Sequence, residues 1–143
     1  MINTQNLQQA KSQIISSKEK PITVKAQNLE FNRKILEYGK FDILLSVESQ
    51  TGKDKLKQIN SGLNHVMAKI AAKNKVAIGI DLKSLHSLEK KAKAEQLTKI
   101  KENIKVCRKA GCSIVLLNAK DKKDAQSFLL SLGASTQQTI KKK

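Results

Sequence analysis

Apolar and polar residues follow a helical period over one stretch of this chain and then a strand-like run directly after it. Positions three and four residues apart carry the apolar side chains Leu63, Val66, Met67, Ile70 and Ala71. This spacing predicts a helix with one buried face, and Asn60 or Ser61 is a suitable N-cap for it. After Asn74-Lys75, the nearly continuous apolar run Val76–Ile80 is typical of a strand covered on both faces in a parallel sheet.

The order of helix, short joint and strand is predicted three times, which favours a parallel sheet with right-handed crossovers. The predicted strands are Ile22–Ala26, Phe41–Val47, Val76–Leu82 and Ser113–Asn118. Helices are predicted over 3–17, over 28–39 between an Asn28 cap and a Gly39 C-cap, and over 124–132. A helical turn is expected within 83–91.

A long helix is predicted to follow that turn and to end at Gly111. The side chains expected to face the core are Ala94, Leu97, Ile100, Ile104 and Cys107. The cations expected on the outward face are Lys93, Lys99, Lys101, Lys105 and Arg108. Residues 83–143 hold 15 Lys and Arg against 5 Asp and Glu, so most of the excess positive charge lies in this half of the chain.

The overall charge indicates a polyanionic partner. The formal net charge is +16, from 28 Lys and Arg against 12 Asp and Glu. Neutralised phosphates release counterions and add affinity, so nucleic acid is the first candidate and an anionic membrane surface the second. Aromatic residues make up 3% of the chain, which argues against a single-strand binder that stacks bases on rings. No apolar run reaches the roughly 18 residues of a membrane span, and the N-terminus lacks a secretory h-region.

Several short motifs stand in one order along the chain: Asn32-Arg33, Asp42-Ile43-Leu44, Ser61-Gly-Leu-Asn-His65, Asn103-Ile104-Lys105 and Cys107-Arg108-Lys109. In this order they resemble protein component 3 of archaeal ribonuclease P, from about Pro21 to Gly133. That family has a (β/α) barrel of the TIM type, related to the PHP phosphoesterases, and a homologous subunit in the nuclear ribonuclease P and MRP particles.

The chain departs from this family fold in its length and its number of strands. A closed barrel takes at least about 200 residues, and only four strands are predicted here. We therefore expect an α/β fold: a partial, N-terminally shortened TIM-like barrel with four parallel strands, flanking helices and two open sheet edges. The expected organisation is an N-terminal helix or extension at 1–20, the truncated barrel at 21–133 and a basic tail at 134–143.

The resemblance also implies a function. The chain is expected to be a non-catalytic, RNA-binding subunit of ribonuclease P in the cytoplasm, where Mg²⁺ serves the catalytic RNA and the protein binds no cofactor. Expected partners are ribonuclease P RNA, protein component 2 and, indirectly, precursor tRNA. No membrane partner is expected, and a homodimer through the open sheet edges is an alternative assembly. The alternative function is a truncated PHP or TIM-barrel phosphoesterase, for which only Glu48 and Asp81 stand near strand ends.

Candidate RNA contacts lie in three places. They are Lys53, Lys55 and Lys57 in a loop, Asn64 and His65 at a helix start, and Lys93, Lys101, Lys105, Arg108 and Lys123 towards the C-terminus. By resemblance, Lys93, Lys105 and Lys123 match basic or motif positions of the family. A catalytic histidine needs a nucleophile or a metal beside it, so His65 is expected to have a structural or RNA-contacting role. No catalytic or metal-binding residue is predicted, and Cys107 is expected to be a packing residue.

Overall fold

The structure is a computed structural model that describes residues 1–50, 62–118 and 122–134. Its centre is a four-stranded sheet in which every neighbouring pair is parallel and the spatial order is β1-β2-β3-β4. The strands are β1 Thr23–Lys25, β2 Ile43–Leu45, β3 Ala77–Asp81 and β4 Ile114–Leu117. All four lie within the predicted ranges, each shorter by a residue or more, and the predicted parallel α/β fold is confirmed.

In the described residues, six α-helices and one 3₁₀ turn connect and flank the strands. The helices are α1 Leu7–Ser16, α2 Leu29–Tyr38, α3 His65–Lys73, α4 Leu82–His86, α5 Lys90–Ala110 and α6 Lys122–Ser131. The 3₁₀ turn is Val47–Gln50, directly after β2. None of the described helices is long and apolar enough to cross a membrane.

The strand order determines where the helices lie. Sequential order without a reversal, combined with right-handed crossovers, places every crossover helix on the same side of the sheet. Accordingly α1 contacts α2, α2 contacts α3, and α3 contacts α5. This is the arrangement of a (β/α) barrel that has not closed, and it differs from a doubly wound sheet, where the order reverses at a switch point.

Local sequence explains most helix ends. The Asn28 side chain accepts a hydrogen bond from the Phe31 amide at the start of α2. Gly39 and Gly111 end α2 and α5 in the left-handed conformation, as predicted. Helix α3 begins later than predicted: its N-cap is Asn64, whose side-chain oxygen accepts from the Met67 amide at 2.8 Å.

The core lies between the sheet and the helix layer. From the strands it receives Val24, Leu44, Ile78, Ile80 and Ile114, all at most 3% exposed. Helix α5 contributes Ile100, Ile104 and Cys107, as predicted, with Leu97 half-buried. The prediction for Ala94 was wrong, since it lies on the exposed side of α5, and the buried polar residue Asn103 lies on the inner side.

The two outer strands, β1 and β4, differ in whether further backbone pairs with their outer edge. On the β1 side, Ile2 continues the sheet as an isolated parallel bridge to Val24. Its amide donates to Thr23 O at 2.9 Å, and its carbonyl accepts from the Lys25 amide at 2.8 Å. On the other side, within the described part of the chain, β4 pairs with β3 and no strand continues the sheet beyond it. Val115, Leu116 and Leu117 are half-exposed there.

Candidate nucleic-acid interface

The carboxyl edge of the sheet brings together polar residues that are far apart in sequence. Glu48 follows β2, Asp81 ends β3, and Asn118 follows β4. Asn118 Nδ2 donates to Asp81 Oδ1 at 2.7 Å, which ties the ends of β3 and β4 together. Parallel strands end at one edge, and this edge is where TIM-like folds carry their active sites.

The two carboxylates at this edge have opposite environments. Glu48 is 6% exposed. Burial, with a smaller contribution from the charge of Asp81, raises the pKa of Glu48 to about 7. Burial acts in the same direction on Asp81, but hydrogen bonds from Asn118, Ser84 and the Lys83 amide outweigh it and lower the pKa of Asp81. Asp81 therefore stays ionised while it caps α4, and Glu48 is protonated over much of the acidic range.

Within residues 1–50, 62–118 and 122–134, no three His, Cys, Asp or Glu side chains form a group that could hold a metal ion. Glu48 and Asp81, the two carboxylates named by the phosphoesterase alternative, lie at the same edge, and the charge of Asp81 acts on Glu48. His65 also lies at this edge and is exposed in the first turn of α3.

The residues predicted to bind RNA around α3 fall into two groups. Asn64 and His65 lie at the start of α3, at the carboxyl edge, and both are exposed. The carbonyl oxygen of the Asn64 side chain is occupied by the cap, so this residue orders the helix start. Lys53, Lys55 and Lys57 lie outside the described residues.

The clearest basic surface is the exposed side of α5. Lys90, Lys101, Lys105 and Arg108 are all exposed, and at about 100° per residue they fall within about 60° of one another around the helix. We call these four residues the α5 ridge. It extends for about 27 Å at 1.5 Å per residue. Both acidic residues of α5, Glu95 and Glu102, lie off this line, so the ridge carries one sign of charge.

Two lysines predicted on the outward face lie elsewhere. Lys93 and Lys99 are half-buried on the flanks of α5. Lys93 Nζ donates towards His86 Nδ1 at 3.4 Å, because α4 packs beside the start of α5. The buried face of α5 is wider than its apolar stripe, and the long side chains of these two lysines cover part of that face. Lys123, in the first turn of α6, is exposed.

Sequence reasoning omitted three exposed cations of α5: Lys90, Lys91 and Lys109. The signal that could have found Lys90 is its spacing from Lys101, Lys105 and Arg108, at 11, 15 and 18 residues, which returns to one side of a helix. The long helix was predicted to begin after residue 91, whereas α5 begins at Lys90.

Together, the fold and this surface define a singly wound α/β domain with a basic helix on its outside. No protein-family model matches the chain. Curated proteins named ribonuclease P protein component 3 do match. The relative from Methanosarcina mazei is 39% identical over 85 residues, which are 59% of this chain and 32% of the relative. That from Methanococcus vannielii is 26% identical over 95 residues, which are 66% of this chain and 38% of the relative.

A third relative, from Methanosarcina acetivorans, is 44% identical over 57 residues, or 40% of this chain and 24% of its own length. A chain in the cryo-EM structure of archaeal ribonuclease P with mature tRNA has the same fold, with a TM-score of 0.69 and 24% identity. That match covers 93% of this chain and 58% of the other.

Curated homologues of this chain are therefore archaeal ribonuclease P component 3 proteins, and the predicted resemblance is confirmed. The chain spans about a third of the length of these relatives.

Proposed function

We propose that this protein is an RNA-binding subunit of ribonuclease P that assists the catalytic RNA in removing 5′ leaders from precursor tRNA in the cytoplasm. The names of its homologues support its assignment to ribonuclease P. The α5 ridge is the observation that supports an RNA-binding role in that particle. A ridge of one charge sign about 27 Å long suits a series of backbone phosphates rather than one small anion.

The physical role of the ridge is to neutralise phosphates that the folded RNA brings close together. Each such contact replaces a condensed counterion, so the RNA needs less Mg²⁺ to reach its active fold. Mg²⁺ then acts in the RNA, and the protein contributes charge and shape.

The test compares two double variants that remove the same amount of charge. Lys101→Gln/Lys105→Gln removes the centre of the α5 ridge. Arg33→Gln/Lys34→Gln removes two cations of α2 that pair with Glu37 at 3.4 Å and with Glu30 at 2.9 Å. Affinity for the ribonuclease P RNA of the same organism is measured over a range of salt concentrations, together with thermal unfolding of each variant.

We expect the ridge variant to bind more weakly and its log–log salt dependence to flatten by about 0.7–0.9 for each lost phosphate contact. The α2 variant should keep the salt dependence of the unmodified protein. Exposed single charges contribute little to stability, so both variants should unfold within a few degrees of it. Equal salt dependence in all three proteins would contradict the assignment of α5 as the RNA surface.

Hydrolysis is assigned to the RNA. The protein by itself, with Mg²⁺ or Mn²⁺, should leave precursor tRNA intact. Cleavage without RNA that is abolished by His65→Ala would instead support the phosphoesterase alternative and would refute the proposal.

The free side of β4 supports a protein partner. Half-exposed apolar side chains at an unpaired strand edge favour pairing with another chain, and component 2 or a second copy of this chain would fill that place. Since a partner that binds only the folded state stabilises it, adding component 2 should raise the melting temperature. Sedimentation at several protein concentrations shows whether the chain by itself forms a homodimer. A monomer whose melting temperature does not respond to component 2 would contradict both assemblies.

A further inference from the structure

The amino edge of the sheet, opposite the edge that carries Glu48 and Asp81, is lined by cations. Four segments lead into the four strands there: the connections 17–22 and 39–42, and residues 73–76 and 108–113, which include the ends of α3 and α5. Each contributes at least one exposed Lys or Arg. The full set is Lys18, Lys20, Lys40, Lys73, Lys75, Arg108 and Lys109. Neighbouring strands are about 4.8 Å apart, so the four segments lie side by side over roughly 14 Å.

The same segments contain two acidic residues, Glu19 and Asp42, and both have partners. A third, Glu37, lies in the last turn of α2, where its carboxylate is 3.4 Å from Arg33 Nε. A carboxylate oxygen of Glu19 lies 3.8 Å from the amino group of Met1. Asp42 Oδ2 accepts a hydrogen bond from the Ile22 amide at 2.7 Å, inside the fold. The outer surface of this edge is therefore strongly positive.

One of these cations occupies a costly backbone position. The connections after α2, α3 and α5 each contain a residue with positive φ: Gly39 at 67°, Lys75 at 59° and Gly111 at 78°. Val76 and Cys112, the residues that follow Lys75 and Gly111, donate equivalent hydrogen bonds back to Ala71 O and Cys107 O, both at 2.9 Å. Lys75 thus stands where the other two connections have glycine, the residue that tolerates this conformation without steric cost.

The helix dipole does not account for this lysine. A cation near the end of α3 is favourable, but Lys73 already supplies one in the last turn with ordinary helical geometry. A side chain kept at a strained position is more readily explained by a contact that its own charge makes.

The edge is also held rigidly, as a preformed binding surface requires. The Asn74 side chain donates to Leu36 O at 2.7 Å, which joins the connection after α3 to the end of α2. A Cβ at Gly39 would lie 2.7 Å from atoms of that side chain, so the two connections are in close contact. Lys40 Nζ lies 5.6 Å from the ring centre of Tyr38, which also holds Lys11 on its surface at 5.2 Å.

We infer that the amino edge is a second RNA-binding surface, which takes the phosphate backbone of a helical RNA segment, with Lys75 and Lys40 at its centre. The inference rests on the proposed function, because it extends the RNA contact from α5 around to this edge. Arg108 belongs to the α5 ridge and lies in the last turn of α5, directly before the connection to β4, so the two surfaces are continuous. The only tyrosine of the chain, Tyr38, is half-buried here, so the edge offers cations rather than a stacking platform for bases.

Lys75 permits a test in which stability and binding change in opposite directions. Lys75→Gly removes the charge and relieves the strained backbone, so it should raise the melting temperature by about 2–4 °C. Lys75→Arg keeps the charge and serves as the matched control. The probe is an RNA duplex of about 20 base pairs and mixed sequence, longer than the roughly 16 base pairs that a double-stranded-RNA domain spans. Affinity is measured against salt concentration.

We expect Lys75→Gly to bind the duplex more weakly and to flatten the log–log salt dependence by about 0.7–0.9, with Lys75→Arg unchanged. The double variant Lys40→Gln/Lys75→Gly should flatten it about twice as far. If these variants bind as the unmodified protein does while the α5 ridge variant binds weakly, the amino-edge inference is wrong and the proposed function stands. If the ridge variant is also unaffected, both fail.

An anionic membrane is the competing polyanion for this edge. Vesicles of phosphatidylcholine with about 30% phosphatidylserine carry the negative surface that would attract a lysine cluster. If Lys75→Gly abolishes vesicle binding and leaves duplex binding intact, the ligand of this edge is a membrane surface and not RNA, and the inference is wrong.

Discussion

Replacing Glu48 by glutamine tests how burial changes the pKa of this carboxyl group and, through it, the stability of the fold. The side chain lies in the 3₁₀ turn after β2 and is 6% exposed. Its pKa is about 7 in the folded protein, against 4.5 for an unperturbed glutamate, and the main cause is burial of the charge. The neighbouring charge of Asp81 adds to the effect.

The sign of the pH dependence follows from proton linkage. Between pH 4.5 and about 7 the folded state holds a proton on Glu48 that the unfolded state has released. The free energy of unfolding therefore falls as the pH rises through this window. A difference of about 2.5 pH units at 1.36 kcal/mol each gives a loss of about 3 kcal/mol, complete above the folded pKa. Glutamine has nearly the same shape and no charge, so the variant lacks this loss.

The assay is urea denaturation of both proteins at several values between about pH 4.5 and pH 8.5, so that the linkage window is covered on both sides. We expect the two proteins to have similar stability near pH 4.5 and Glu48→Gln to be more stable by about 2–3 kcal/mol at pH 8. Glu37→Gln, which removes an exposed carboxylate of α2, is the matched control and should show no such trend. A stability difference that does not change across this range would refute the reasoning.

Three further predictions concern the core and the thiols. Ile80→Ala should lower the free energy of unfolding by about 2–5 kcal/mol, because Ile80 is 3% exposed in β3; a cost near zero in urea denaturation would contradict its place in the core. Gly79→Ala should cost about 1–3 kcal/mol in the same assay, since the new methyl group would lie 2.6 Å from Ile43 Cγ2, and unchanged stability would show that β2 and β3 are further apart. The thiols of Cys107 and Cys112 are buried and should react with a disulfide reagent only after unfolding. The hydrogen bond between the two thiols, which favours the protonated form of Cys107, and burial raise the pKa of Cys107 and suppress its thiolate; rapid reaction of the folded protein would contradict this.

Much of the architecture is encoded locally and was accessible from the sequence. An alternating pattern marked β1, nearly continuous apolar runs marked β3 and β4, and Asn28, Gly39 and Gly111 marked helix ends that the structure confirms. These signals work because a cap or a left-handed residue is satisfied by groups within four or five positions along the chain. The alternation of helix and strand then limits the sheet to parallel pairing with right-handed crossovers.

The same local signals could not decide between equivalent residues. Asn60, Ser61 and Asn64 are all good N-caps, and the packing of α3 against its neighbours selects Asn64. Ala94 and Lys93 exchange their expected exposure because α4 covers one flank of α5. The width of a buried helix face depends on the neighbouring element, and no periodicity within α5 contains that information.

What only the tertiary structure decides is which distant residues meet at the two edges of the sheet. Glu48, Asp81 and Asn118 are separated by more than 30 residues at each step, and parallel pairing places them together. Lys40, Lys75 and Arg108 are likewise brought to the amino edge from three separate segments, and the positive φ of Lys75 arises from the turn that aligns β3 between β2 and β4. The sequence alone determines the elements and the excess of positive charge, because both depend on residue type and short-range order. Their positions at the sheet edges depend on hydrogen bonds between strands, and these bonds exist only in the folded chain.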